Sequence, residues 1–122
     1  SPRSFLPAER LLYFAAFDGT SRSAGLYVTD GSSANVQLLG RFEASFPGFP
    51  LEPVTVGERL FFAAHDGVSV VRAWTSDGTP RGTYFLSQDD FLYPYGFTPF
   101  GNGVLFSSVV TGYGQELCIS DG

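Results

Sequence analysis

Lysine and methionine are absent from this 122-residue chain, and all 7 basic residues are arginine. Cysteine, tryptophan and histidine occur once each. With one cysteine no internal disulfide can form, so a disulfide scaffold is excluded and the compartment is not set by that route. No run of 18 apolar residues occurs and no charged-then-apolar leader is present, which predicts no helical membrane span and no signal peptide in this sequence. Positive charge is scarce too. A net charge of −5 argues against nucleic acid, whose phosphates demand a basic face, and equally against an anionic membrane surface. No stretch places apolar residues at i, i+3, i+4 and i+7 over three turns, and 15 Gly with 8 Pro leave little room for helices. The composition predicts an all-β protein.

What is present is repetition. GLYVTDG (25–31), RAWTSDG (72–78) and ELCISDG (116–122) each run an alternating strand into an Asp-Gly turn, and their final glycines are 47 and 44 residues apart. Such spacing is what four-stranded propeller blades produce. Upstream lie LYFAAFDG (12–19), LFFAAHDG (60–67) and VLFSSVVTG (104–112). Shorter segments precede those, at 5–10, 53–59 and 97–103. After the first two Asp-Gly turns come NVQLLGRF (35–42) and GTYFLSQD (82–89). Each unit reads as four short strands, A to D, joined by turns rich in Gly, Asn and Asp. The A–B hairpins are placed at Glu9-Arg10, Gly57-Glu58 and Gly101-Asn102-Gly103.

A half-buried sheet alternates apolar and polar residues. Strand B does not: Leu12–Ala16 and Leu60–Ala64 are apolar on both faces. A propeller blade is flanked by a neighbour on each side, so its middle strands are buried twice. Pro7 and Pro99 sit at equivalent places in strand A, the innermost strand, where a missing N–H breaks no ladder bond. The expected fold is therefore β-propeller-like, with about three four-stranded blades in one repeat domain over residues 1–122. The units are approximately 2–49, 50–93 and 94–122, and the third lacks its outer strand. A closed propeller needs at least four blades. The chain is thus expected to be a segment of a longer propeller or one of several copies that complete a ring. The missing Met and the in-phase ends favour the segment.

The strings ELCISDG, RAWTSDGTPRGT and LFFAAHDG resemble the bacterial ELWxxDGT repeat. The middle unit is nearest, with Trp74, Asp77, Gly78, Thr79, Gly82 and Thr83 on the motif and Arg72 and Ala73 replacing Glu and Leu. The third keeps Glu116, Leu117, Asp121 and Gly122 but has Cys118 for Trp. The first diverges most, with Gly25, Tyr27 and Ser32 at the Glu, Trp and Thr positions. The resemblance implies a secreted or cell-surface bacterial protein with propeller-like repeats. It brings no catalytic residues.

Candidate chemistry is sparse. Asp18, Asp66, Asp30, Asp77 and Asp121 end strands, and carboxylates can hold Ca²⁺. Each also precedes a glycine, where an Asp accepts bonds from its own turn, and no DxDxDG loop occurs, so no metal site is expected. His65 aligns with Phe17 and lacks triad partners. Cys118 aligns with Trp74 and Tyr27 and is expected to be a buried small hydrophobe. Asp89-Asp90 reads as solvated. No catalytic residue and no cofactor are expected. The connections 44–51 and 89–97 are different, because they carry Phe46, Phe49, Phe91, Tyr93, Tyr95 and Phe97. They are expected on the same face as Arg22, Arg72 and Tyr113. Aromatic planes beside arginines suit a sugar or an extended peptide. The candidate ligand-binding set is Phe46, Phe49, Tyr93, Tyr95, Tyr113 and Arg72. The other reading is that these rings cover the ends of the inter-blade core. Two functions follow: a non-enzymatic interaction or structural module whose partners are further blades or copies, or a lectin-like propeller that binds glycan.

Overall fold

Among the described residues eleven strands form, in the order the repeats predict, and the ninth begins earlier than expected. A computed structural model describes residues 2–17, 23–43, 50–65, 71–86, 92–110, 112 and 114–122. The first unit contributes β1 (Pro2–Pro7), β2 (Leu12–Phe17), β3 (Ser23–Thr29) and β4 (Gln37–Glu43), with a 3-10 turn at Ser33–Asn35 before β4. The second contributes β5 (Leu51–Val56), β6 (Arg59–His65), β7 (Val71–Ser76) and β8 (Thr83–Phe85). The third contributes β9 (Leu92–Phe100), β10 (Gly103–Val110) and β11 (Gly114–Ser120). Successive strands of each unit pair antiparallel. Among the described residues, the ladder pairing between successive units consists of two single bridges, Glu43↔His65 and Arg72↔Leu92. The fold is β-propeller-like, with two four-stranded blades and one three-stranded blade that do not close a ring.

One assignment needs correction. Tyr93, Tyr95 and Phe97 lie in β9 and not in a connection between blades. The reason is the length of β10, whose ladder extends past the hairpin to pair Ser107 with Tyr95 and Val109 with Leu92. Aromatic residues suit such a pleated position.

The innermost strands share one bulge position, and β9 carries a second shift, opposite Ser107–Val109. Register shifts fall between Arg3 and Leu6 and between Leu51 and Val54, and the β9–β10 ladder shifts between Leu105 and Ser107. At this point Glu52 and its repeat equivalent Gly96 are both left-handed, with φ of 46° and 73°. A left-handed residue is one of the backbones that accommodate an extra residue in a ladder, and the equivalent shift in β1 is made without one. Pro7 and Pro99 each have a ladder partner on one side only, Leu12 and Val104 respectively.

Double burial explains strand B. Leu60, Phe61, Phe62, Ala63 and Ala64 of β6 are all buried. Leu60, Phe62 and Ala64 pack, with half-buried Trp74, on Tyr13, Ala15, Leu26 and Val28 of the first blade. Phe61 points the other way, and with Ala73 meets Val104, Phe106 and Cys118 of the third. Alternate residues of one strand therefore serve two cores, so no polar position is left in it. The cross-strand pairs repeat as well: Phe14↔Tyr27, Phe62↔Trp74 and Phe106↔Cys118 hold the same register in the three blades.

Candidate functional site

The first two Asp-Gly turns are built around their own carboxylates, and at the third the Gly122 N–H donates to the Ser120 hydroxyl at 3.1 Å. Gly31, Gly78 and Gly122 have φ of 97°, 94° and 104°, a region that glycine enters without steric cost. Asp30 accepts from the Ser32 N–H at 2.9 Å and from Asn35 Nδ2 at 2.9 Å. Asp77 accepts from the Thr79 N–H at 2.9 Å and the Thr79 hydroxyl at 2.7 Å. The Thr79 hydroxyl oxygen in turn accepts from the Gly82 N–H at 3.0 Å, and the Thr83 hydroxyl donates to the Thr79 carbonyl at 2.7 Å. A methyl group at Gly82 would collide with the Asp77 carboxylate. The DGTxxGT spacing is thus a self-contained hydrogen-bonded loop.

The backbone N–H of Ser32 and the Asn35 amide hold the Asp30 carboxyl below its usual range. At Asp77 burial pushes upward, but the Thr79 hydroxyl and N–H, with Arg59, outweigh it and the net shift is downward. Among the described residues no group of three His, Cys, Asp or Glu side chains is gathered as a metal centre would require. Asp18, Asp66, Asp89 and Asp90 lie outside the described residues.

Cys118 is buried in the second core. Burial, then the Glu116 carboxylate, pushes its thiol upward, the opposite of what a nucleophilic thiolate needs. Tyr13 is fully buried, and its hydroxyl donates to the Glu58 carbonyl at 2.6 Å, with the Ser76 carbonyl at 3.3 Å. Burial is the main cause that pushes the Tyr13 phenol up to about 12, with Asp77 and Glu58 assisting against the Ser76 bond.

A cavity of about 290 Å³ opens between the first and second blades. Arg41 and Glu43 of β4 form one side, and His65, Arg72, Trp74 and Phe85 the other. The end of β4 pairs with β6 at the Glu43↔His65 bridge, and both residues line this gap. Phe42 and Phe85 meet Trp74 edge-on, with ring centroids 4.8 and 5.6 Å away. The Arg72 guanidinium lies 5.6 Å from the Phe85 ring centre, a cation–π distance. A more open cleft of about 490 Å³ lies at the opposite hairpins, lined by Glu9, Glu58, Arg59, Asp77 and Asn102 among others.

Of the residues that the sequence marks as ligand-binding, Arg72 lines the cavity. Tyr93 and Tyr95 are 51% and 43% exposed on β9 and are not among the cavity's lining residues. Phe46, Phe49 and Tyr113 lie outside the described residues, as do Phe91 and Arg22. Sequence reasoning missed Arg41, Glu43, Trp74 and Phe85 as neighbours of Arg72. The one available signal was that Arg41 and Glu43 end the outer strand of the first blade, which runs beside the second.

No family model matches the chain, and no curated protein matches it. Among solved structures it is similar to the crystal structure of TolB from Acinetobacter baumannii, a β-propeller protein, with a TM-score of 0.57 and 16% identity. The match covers 98% of this chain and 29% of the TolB chain. At that identity the likeness shows the fold alone, and it agrees with the blade geometry above: the chain has the fold of a β-propeller segment.

Proposed function

We propose that this chain is a non-enzymatic interaction or structural module of a secreted or cell-surface bacterial protein of the ELWxxDGT-repeat kind, completed by further blades or further copies. One observation carries the reading. Leu117 and Ile119 of β11 are 72% and 64% exposed, whereas their equivalents Leu26 and Ala73, and Val28 and Thr75, are at most 4% exposed. In the first two blades a following blade covers those positions. Exposed apolar residues on an open strand edge are sites of association. The half-exposed Phe5–Phe14–Tyr27 stack, with centroid distances of 5.9 and 5.5 Å, forms the corresponding face at the other end.

Light scattering at tens of micromolar tests it. The chain is expected to associate, and Leu117→Ser with Ile119→Ser to reduce the association without unfolding. A monodisperse 13.2 kDa particle, unaffected by these changes, overturns the reading.

A second reading, a carbohydrate-binding propeller, is favoured by the exposed rings of Tyr93 and Tyr95. Exposed aromatic faces stack on sugars. A glycan array in which binding is lost with Tyr93→Ala or Tyr95→Ala would support it, and an array without binding would remove it.

A further inference from the structure

We propose that the open edge of β11 takes an extended segment of the Thr-x-x-Gly-Thr-aromatic kind as the fourth strand of the third blade, supplied by a further repeat. This rests on the reading that further blades or copies complete the chain, and it names the contact. Among the described residues β11 pairs with β10 alone, whereas β3 and β7 each carry an outer strand, β4 and β8. Alternate residues of an antiparallel strand turn their N–H and C=O to opposite sides. Leu86 donates its N–H to the Ala73 carbonyl at 2.8 Å, and Asp77 donates its N–H to the Gly82 carbonyl at 3.2 Å. Leu117 and Asp121 are the repeat equivalents of Ala73 and Asp77. Their outward groups, with those of Ile119 between them, have no ladder partner among the described residues.

The end of β11 is already set for that strand. The Gly78 N–H donates to the Ser76 hydroxyl at 3.1 Å, and this hydroxyl meets the Thr83 hydroxyl of β8 at 2.7 Å. The Gly122 N–H donates to the Ser120 hydroxyl at the same 3.1 Å, so Ser120 presents its hydroxyl to a threonine in the same way. Trp74 pairs with Phe85, which places an aromatic of the incoming strand opposite Cys118. Beside the edge lies a cleft of about 510 Å³, lined by Gly103, Ile119, Ser120 and Asp121 among others. Its equivalent in the first blade, about 450 Å³, is walled by Ala34, Asn35, Val36 and Gln37, the run that opens the outer strand. No such run lines the third-blade cleft among the described residues. Added strands bind through main-chain bonds and are selected by side chains. Selection here falls on the glycine, since a methyl group at Gly82 collides with the Asp77 carboxylate and Asp121 sets the same condition.

The probe is a peptide of residues 79–86 of this chain, TPRGTYFL, with acetyl and amide ends, titrated into the isotope-labelled 122-residue protein. Saturable amide shifts confined to residues 114–122 and the cleft are expected below about 1 mM. The Leu117, Ile119 and Asp121 amides should gain protection from exchange. The same residues in reversed order should not bind. Peptides with Leu86→Pro, which lacks the N–H, or Gly82→Ala should bind about tenfold more weakly. Ser120→Ala in the chain and Thr83→Val in the peptide should each weaken binding about threefold, and together no more than either alone. No saturable binding, equal binding of the reversed peptide, or undiminished affinity with Leu86→Pro overturns the proposal. Light scattering separates it from the reading it rests on. Association of the chain without peptide binding overturns the strand edge alone, whereas a monomer that binds the peptide supports the edge and overturns the association.

Discussion

Arg10 and Glu58 occupy the same position in successive repeats, 48 residues apart, and they form an ion pair with Arg10 Nε 3.1 Å from Glu58 Oε1. The Arg10 N–H also donates to both Glu58 oxygens, at 3.1 and 3.0 Å. Equivalent residues meet elsewhere on the inner strands. Thr55 donates its hydroxyl to the Pro7 carbonyl, the Glu9 N–H donates to the Gly57 carbonyl, and the Gly96 N–H donates to the Glu52 carboxylate. Contact between equivalent positions is greatest near the axis that relates the repeats, so these bonds place β1, β5 and β9 innermost. They also set a chemical condition. A perfect repeat of either charged residue would oppose like charges at this hairpin, and Arg10, Glu58 and Asn102 differ.

Glu58→Arg should therefore destabilise the pair of blades by about 1–2 kcal/mol, since it removes two bonds to the Arg10 backbone and opposes like charges. Arg10→Ala alone should cost less than about 0.5 kcal/mol, because that side chain is largely exposed. Urea denaturation at low and high salt checks both, and only the charge-reversal penalty should shrink with salt.

Alkaline stability should depend on Tyr13. Its phenol is pushed from 10.0 up to about 12 in the folded chain, so the folded state holds this proton more tightly than the unfolded one. The stabilisation is whole below pH 10 and is lost as pH rises towards 12, amounting to about 2–3 kcal/mol. Tyr13→Phe should be less stable at pH 7, having lost its bond to the Glu58 carbonyl, and should show a flatter decline above pH 10. Melting temperatures of both proteins between pH 7 and 12 decide it.

The DGTxxGT loop should behave as one unit. Gly82→Ala forces a methyl group onto the Asp77 carboxylate and should cost about 1–3 kcal/mol. In an Asp77→Ala background the same change should cost distinctly less, a non-additivity that a double-mutant cycle measures. Because the Asp77 and Asp30 oxygens serve their own turns, EDTA should leave the melting temperature unchanged. Both carboxyls are held below their usual range, so their contribution is present at neutral pH and lost as pH falls through the folded values.

Trp74→Ala should cost about 3 kcal/mol, at the lower end for a tryptophan because the ring is only half buried. Phe42 and Phe62 would lose their partner across the blade junction, at 4.8 and 6.3 Å. Chemical denaturation measures the loss. An effect below about 0.5 kcal/mol would show that the junction does not rest on this ring.

Strand identity, strand number and the turns were legible in the sequence because they depend on local chemistry. Asp-Gly pairs at a steady spacing need positive φ wherever they occur, and Leu60–Ala64 can be apolar on both faces only if buried on both. Aligning the repeats makes Phe14, Phe62 and Phe106 equivalent, and Tyr27, Trp74 and Cys118 equivalent, and the structure pairs the two sets in one register. The length of β9 was less legible, since nothing near Tyr93 says that β10 extends far enough to pair with it. The cavity was not legible at all. Arg41 of the first blade and Arg72 of the second come to line one cavity because the two blades lie against each other. Phe42 and Trp74 meet edge-on across that junction, and a long-range fit of side chains has no period in the sequence to announce it. The Arg10–Glu58 pair belongs to the same class: a repeat reveals which positions are equivalent, and only tertiary structure decides which equivalents touch.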